Sequence, residues 1–282
     1  MRPRPGHWEV MVTTSQIGFS GSYDDVNGVK TWHESFGSGP PLVLLHGGLS
    51  SSAEWEYHAP ALAQHFTVHL YDRRAHGRSS DPGPFSYALM VEDAVAFLEH
   101  VVKRPASLVG WSDGGNIGLA VAARRPDLVT KLVTIGSNIR PDGVPEEINQ
   151  GFAATPPDDP GLAPFRNAHA VMSPDGEAHW AVLLAKETAM ATTETVLDSA
   201  ELAGITAPTL VLAGDDDMVM IEHSAEIYRG IPNAQLGIMP GASHVLPMEK
   251  PELVNALIRD FLINDPLPTM MPIRRSGGPT PA

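Results

Sequence analysis

The 282-residue sequence contains no cysteine, which removes disulfides, thiolate nucleophiles and cysteine-based metal sites together. Aromatic residues are few, at 6%, and basic residues are outnumbered: 19 Lys and Arg stand against 33 Asp and Glu, a net charge of −14. A nucleic-acid surface needs clustered basic side chains. Here the two basic spots, Arg73-Arg74 and Arg274-Arg275, are isolated pairs, so no nucleic-acid partner is expected and the acidic balance reads as solubility. No run of about 18 apolar residues occurs, so no membrane partner is expected either. The pattern H-E-x-x-H is absent, and His65 and His69 sit across an element boundary without an acidic neighbour. No metal and no cofactor is therefore expected.

What is present is a chain that is 43% hydrophobic, long enough for one large domain or two small ones. Short apolar runs at 29–35, 41–45, 66–71, 107–111, 131–135, 208–213 and 235–239 read as buried strands. Helical patterns fall between most of them, at 54–65, 87–102, 114–124, 221–230 and 251–263. That alternation predicts an α/β fold, a doubly wound, mostly parallel sheet whose ligands meet the carboxyl ends of the strands.

One interval breaks the rhythm. About 70 residues separate the strand ending near Gly136 from the next at Pro208, too many for one crossover or a structureless loop. Segments 141–145 and 156–164 are rich in Pro, Gly and Asp, and helical patterns follow at 176–190 and 192–202. The interval reads as an inserted helical cap over the strand ends. Its Phe152, Phe165, Met172, Trp180 and Leu184 are placed to line a substrate pocket, although packing the cap onto the core is the simpler role for any one of them. The expected divisions are an extension at 1–18, a core at 19–138 and 204–264, a cap at 139–203 and a tail at 265–282. The Pro-rich, polar start carries no apolar run of signal-peptide length, which points to a cytoplasmic protein.

Residues 107–118 read Ser-Leu-Val-Gly-Trp-Ser-Asp-Gly-Gly-Asn-Ile-Gly. Ser112 is the centre of a G-x-S-x-G pattern where a strand run ends and a helical pattern begins. A serine hydroxyl is a poor nucleophile near neutral pH and needs exposure, a base and donors for the charge that its attack creates. A strand-to-helix turn supplies the exposure, Gly110 and Gly114 leave room for it, and the helix start offers free N–H groups.

A nucleophile at such a turn predicts an acid and then a histidine later in the chain. The run 208–213 leads into Gly214-Asp215-Asp216-Asp217, and 235–239 leads into Pro240-Gly241-Ala242-Ser243-His244. His244 is the expected base, because it follows the last strand in a Gly-containing turn. Among the aspartates, Asp217 is preferred, then Asp216, then Asp215, since the first residues after a strand usually hold the turn. The oxyanion donors are expected from the Asp113 amide and from the loop His46-Gly47-Gly48-Leu49, with the Gly48 amide preferred and Leu49 as the alternative. His46 is expected to orient that loop rather than ionise. Leu49, Trp111 and Val245, each beside one of these parts, join Phe152, Met172 and Trp180 as pocket candidates. The Asp113 side chain has two readings: a helix-start carboxylate complementing the macrodipole, which is preferred, and a partner for a cationic substrate group.

These motifs, together with Asp72-Arg73-Arg74-Ala75-His76-Gly77-Arg78-Ser79, resemble those of the α/β-hydrolase fold superfamily over roughly residues 25–264. The elbow itself is similar to that of the valacyclovir hydrolase (biphenyl hydrolase-like) branch. The resemblance implies an acid three residues after the strand-end glycine, at Asp217, and a helical cap after the sixth strand. It also implies serine hydrolysis of a small-molecule carboxylic ester or lactone through an acyl-enzyme. Carbon–carbon hydrolysis, lyase chemistry or perhydrolysis on the same scaffold is the alternative, and a non-catalytic binding module is a third class. Relatives with aspartate at the elbow perform dehalogenation or epoxide opening, and Ser112 argues against both. The sequence leaves monomer and homodimer open.

Overall fold

The computed structural model describes residues 21–265 and 269–271. The expected extension at 1–18, and the tail apart from 265 and 269–271, lie outside the described residues. The centre of the sheet is built from β3 (Pro41–Leu45), β5 (Ala106–Trp111), β6 (Val129–Ile135) and β7 (Thr209–Asp216). Every residue of β3 and β5 is buried, which is why these strands read as continuous apolar runs: both faces of the sheet are covered. With β1 (Ser22–Val26), β2 (Val29–Gly37), β4 (Thr67–Tyr71) and β8 (Ala234–Ser243) the sheet has eight strands in the order β1-β2-β4-β3-β5-β6-β7-β8. β2 pairs antiparallel with β1 and β4, and all other pairs are parallel.

On one face, α2 (Tyr87–Phe97), α3 (Asp113–Arg124) and α7 (Ile221–Gly230) bury Phe97, Ile117, Leu119 and Ile227. On the other, α1 (Ala59–Leu62), α8 (Leu246–Glu249) and α9 (Pro251–Ile263) bury Leu62, Leu246, Ile258 and Phe261. Between β6 and β7 the chain forms α4 (Glu146–Ala153), α5 (Ala163–Met172) and α6 (Trp180–Thr193). Trp180, Leu183 and Leu184 of α6 join Leu49 and Ala75 from the loops after β3 and β4 in one apolar cluster, with Phe152 and Phe165 against it. The inserted helices thus sit on the carboxyl-end loops. Among the described residues no helix is long and apolar enough to cross a membrane.

Several elements differ from the sequence reading: α4 and α5 fall where no helical pattern is assigned, and three other differences have a direct physical cause. The helix expected at 54–65 is a 3-10 turn (Ser52–Trp55) followed by the single turn of α1, which has a proline in its first turn. Pro60 has no N–H to give and its ring crowds the preceding turn, so a helix begun at 54 cannot run through it. The helix expected at 192–202 is absent: α6 ends at Thr193, and the N–H groups of Val196 and Leu197 go to the Ile139 carbonyl at 2.8 and 3.3 Å instead of up a helix. Thr192 and Thr193 bond back to Thr188 and Ala189 carbonyls, each at 2.7 Å, a habit that loosens a helix end. Strand β1 has no apolar signature because four of its five residues are exposed. It is held by the Asn27-Gly28 turn, whose φ values of 54° and 75° are those of a tight two-residue hairpin.

Candidate active site

Ser112 lies between β5 and α3 with φ 53° and ψ −122°. A non-glycine residue there carries strain of about 1–3 kcal/mol, and the surroundings hold it. Its N–H donates to the Ile135 carbonyl at 2.8 Å, while the N–H groups of Gly115 and Asn116 donate to its carbonyl at 2.8 and 3.0 Å. The hydroxyl is thereby lifted off the end of the sheet.

His244 follows β8, and its Nε2 stands 3.0 Å from Ser112 Oγ. Its Nδ1 stands 2.7 Å from Asp217 Oδ1. A carboxylate only accepts, so Nδ1 carries the proton and Nε2 faces the serine with its lone pair. The Asp217 side chain is 1% exposed, and the Val219 N–H donates to the same Oδ1 at 3.0 Å. The aspartates divide as follows: Asp215 accepts from the Ala242 N–H at 3.1 Å, Asp216 ends β7 opposite Ser243, and Asp217 reaches the imidazole. The histidine turn is anchored twice, by the Trp111 indole N–H on the His244 carbonyl at 2.9 Å and by Glu249, which accepts from the Ser243 N–H at 2.7 Å.

Within the described residues, the N–H groups of Gly48 and Asp113 donate to nothing, and both flank the serine turn. The loop carrying Gly48 is fixed one residue earlier. Gly47 N–H donates to Glu54 Oε1 at 2.7 Å, and the Gly47 carbonyl accepts from Arg73 Nη2 at 2.7 Å and from His46 Nδ1 at 2.8 Å. His46 Nε2 accepts the Arg73 N–H at 2.9 Å, which assigns the Nδ1 proton; burial and the Arg73 charge hold this imidazole neutral, with its pKa far below the usual value. His46 orients the loop, as expected.

The Asp113 carboxyl stands in the first turn of α3. It is buried behind Gly48, where Oδ1 accepts from the Tyr87 hydroxyl at 2.5 Å and Oδ2 lies 3.9 Å from Arg73. Burial first, then the neighbouring Glu187, raise its pKa to about 8.

A cavity of about 560 Å³, counting its open mouth, lies beside this centre, lined by Leu49, Ser50, Glu54, Phe165, His169 and Met172 among others. Of the six pocket candidates, Leu49 and Met172 line this cavity. Trp180 is 3% exposed in the apolar seam, with Phe152 against the same seam. Trp111 is 6% exposed in the core, and Val245 packs against that core. None of these four lines the cavity. Glu54 connects cavity and centre: a methyl group built on Gly47 would lie 3.7 Å from Glu54 Oε2 and 3.5 Å from Ser112 Cβ. Burial raises the Glu54 pKa to about 8. Among the described residues no group of three or more His, Asp or Glu side chains could hold a metal ion.

Glu54, Glu187 and Tyr87 were not singled out from sequence. Glu187 had a signal: with Leu183, Leu184 and Met190 it occupies the buried, i/i+3/i+4 face of α6, a carboxylate where the period asks for an apolar residue.

A serine after β5, an aspartate after β7 and a histidine after β8, all at carboxyl ends of a mostly parallel eight-stranded sheet under inserted helices, define an α/β-hydrolase architecture. The chain matches the alpha/beta hydrolase family over residues 42–257 and belongs to it. It is 31% identical over 258 residues to RutD of Caulobacter sp. strain K31, a protein named for carbamate hydrolysis, covering 82% of this chain and 95% of that one. It is 29% identical over 258 residues to the pimeloyl-[acyl-carrier protein] methyl ester esterase of Nitrosospira multiformis, covering 83% and 98%. The solved structure of a hydrolase from Pseudomonas aeruginosa PA01 superposes with a TM-score of 0.69 at 26% identity, over 89% of this chain and all of the other.

Proposed function

We infer that this hydrolase cleaves a carboxylic ester or lactone of a small molecule, with Ser112 as nucleophile, His244 as general base and acid, and Asp217 as the group that orients the imidazole. The observation that carries the reading is the continuous relay, 3.0 Å from Ser112 Oγ to His244 Nε2 and 2.7 Å from His244 Nδ1 to Asp217. His244 takes the hydroxyl proton as Oγ attacks the substrate carbonyl, and Asp217 stabilises the imidazolium that results. The carbonyl oxygen gains negative charge and is met by the free amides of Gly48 and Asp113, which need no reorganisation to receive it. Collapse expels the alcohol, protonated by His244, and leaves an acyl group on Ser112. Water, deprotonated by the same imidazole, then releases the acid. The ester-cleaving relative supports a carboxylic substrate, and the cavity lined by Leu49, the neighbour of Gly48, offers room for one.

The test is turnover of p-nitrophenyl acetate beside a panel of lactones and a vinylogous diketone, on wild type and Ser112→Ala. Loss of roughly three or more orders of magnitude in kcat/KM for the ester is expected. Unchanged ester turnover in Ser112→Ala overturns the mechanism, and cleavage of the diketone but no ester would move the reaction to a carbon–carbon bond.

A further inference from the structure

Behind Gly48, four acceptor atoms meet with no fixed donor between them. Neither oxygen of Glu187 receives a hydrogen bond from an N–H or hydroxyl among the described residues, although the residue is 1% exposed. His76 Nε2 lies 3.4 Å from Glu187 Oε2, but His76 Nδ1 stands 2.9 Å from the Arg74 carbonyl and so carries the proton, which leaves a lone pair on Nε2. The fourth acceptor is Asp113 Oδ2, which stands with Glu187 Oε1 against the Gly48 backbone. Two carboxyl groups bond to each other only across a proton, so this cluster is complete only when it holds one. The groups facing it come from five elements: Arg73 and His76 after β4, Tyr87 on α2, Asp113 on α3, Glu187 on α6, and Glu54 with His46 near the β3 loop. Arg73, the one cation among them, is committed to the Gly47 carbonyl at 2.7 Å and reaches Asp113 only at 3.9 Å.

The cluster also touches the loop that supplies an oxyanion donor. A methyl group on Gly48 would meet Glu187 Oε1 at 2.5 Å and Asp113 Oδ2 at 2.6 Å, so the Gly48 backbone lies directly against both carboxyls. Cap helix α6, the loop of Gly48 and the start of α3 are therefore joined at one point.

We propose that Glu187 is a positioning residue: through a proton shared with Asp113 it seats α6 on the Gly48 loop, and removal of that proton unseats the cap and slows turnover. The effect on turnover rests on the serine-hydrolase reading; the seating of α6 does not. With the proton in place, Glu187 binds the residue whose amide faces the oxyanion. With it gone, two like charges meet in a dry site and separate by moving the more peripheral element, the cap.

The experiment has two arms. In the first, kcat/KM for p-nitrophenyl acetate is followed from about pH 6 to 9.5, corrected for spontaneous hydrolysis, in wild type and Glu187→Gln. Wild type loses about tenfold per pH unit above its midpoint, as one deprotonation requires. The Gln amide donates permanently to Asp113, so the variant lacks this alkaline limb. In the second arm, amide exchange of 180–193 is measured in Ser112→Ala at pH 7 and 9.5, corrected for intrinsic rates, and protection falls at least about tenfold. The same alkaline limb in both proteins, or unchanged protection of 180–193, overturns the proposal. Should Glu187→Gln not fold, the exchange arm decides alone. Full esterase activity in Ser112→Ala would instead overturn the hydrolase reading and leave the exchange result standing.

Discussion

Replacing a glutamate by glutamine removes a charge only if the carboxyl was ionised, and Glu54 is held neutral near pH 7 by burial, with its pKa at about 8. Its Oε1 accepts the Gly47 N–H at 2.7 Å, next to the Gly48 amide. Glu54→Gln keeps that acceptor, while Glu54→Ala strands a buried N–H at about 1–3 kcal/mol. Since about 1.4 kcal/mol is a tenfold change in rate, steady-state kinetics should show kcat/KM falling about tenfold or more in the alanine variant and far less in the glutamine variant. Equal losses would mean that Glu54 acts through its charge. At this scale the sequence was most legible where chemistry is local. Ser112 and His244 announce themselves through a strand, a turn and glycines. Asp217 could be ranked among three aspartates, but its contact with His244, 27 positions away, depends on how β7 and β8 end side by side. Glu54 and Glu187 had no such local grammar. Their roles arise because the β3 loop, α3 and the cap converge on Gly48.

The cap meets the loops above the sheet through a small apolar seam, while Ile139, Met190, Val196 and Leu197 at its two ends enter the main core, so disturbing the seam should change binding before global stability. Leu184 is 4% exposed in that seam beside Leu49. Leu184→Ala leaves a cavity there at a cost of about 2–5 kcal/mol, borne by α4–α6 rather than by the sheet. Limited proteolysis should then cut within 139–203 at low protease, and KM should rise more than kcat falls. Resistance equal to wild type, with KM unchanged, would show that the cap draws its stability from elsewhere. The elements that periodicity revealed are those buried in the way the patterns assume: β3, β5, α3 and α9 lie close to where the apolar runs put them. The misses have physical causes. β1 is polar because its faces are exposed, and it exists through its pairing with β2. The segment after Thr193 has helical spacing, yet its amides are claimed by the Ile139 carbonyl across the chain, a tertiary contact that no window of residues contains.

Across the whole molecule, buried titratable groups set the pH of greatest stability, and their signs oppose one another. Six histidines, His46, His58, His69, His76, His169 and His223, have pKa values lowered by burial, His76 to about 3 and His69 and His169 to about 4. Each binds fewer protons folded than unfolded, so its contribution is intact above about pH 6.5 and is lost as the pH falls. Asp113 and Glu54, both raised to about 8 by burial, bind more protons when folded. Their contribution is full below about pH 4 and is lost as the pH climbs to about 8. Below about pH 6 the histidines outnumber the two carboxyls and stability rises with pH; above about pH 7 the unfolded histidines are neutral and the carboxyls alone act, so stability falls. Thermal unfolding from pH 4.5 to 9, at about 0.15 M salt to screen surface repulsion, should give a maximum at about pH 6.5–7 and a decline to pH 8. Glu54→Gln has no proton to lose and should flatten that decline by roughly half. A melting temperature still rising at pH 8, or a decline unaltered by Glu54→Gln, would place the burial cost of these acids elsewhere in the fold.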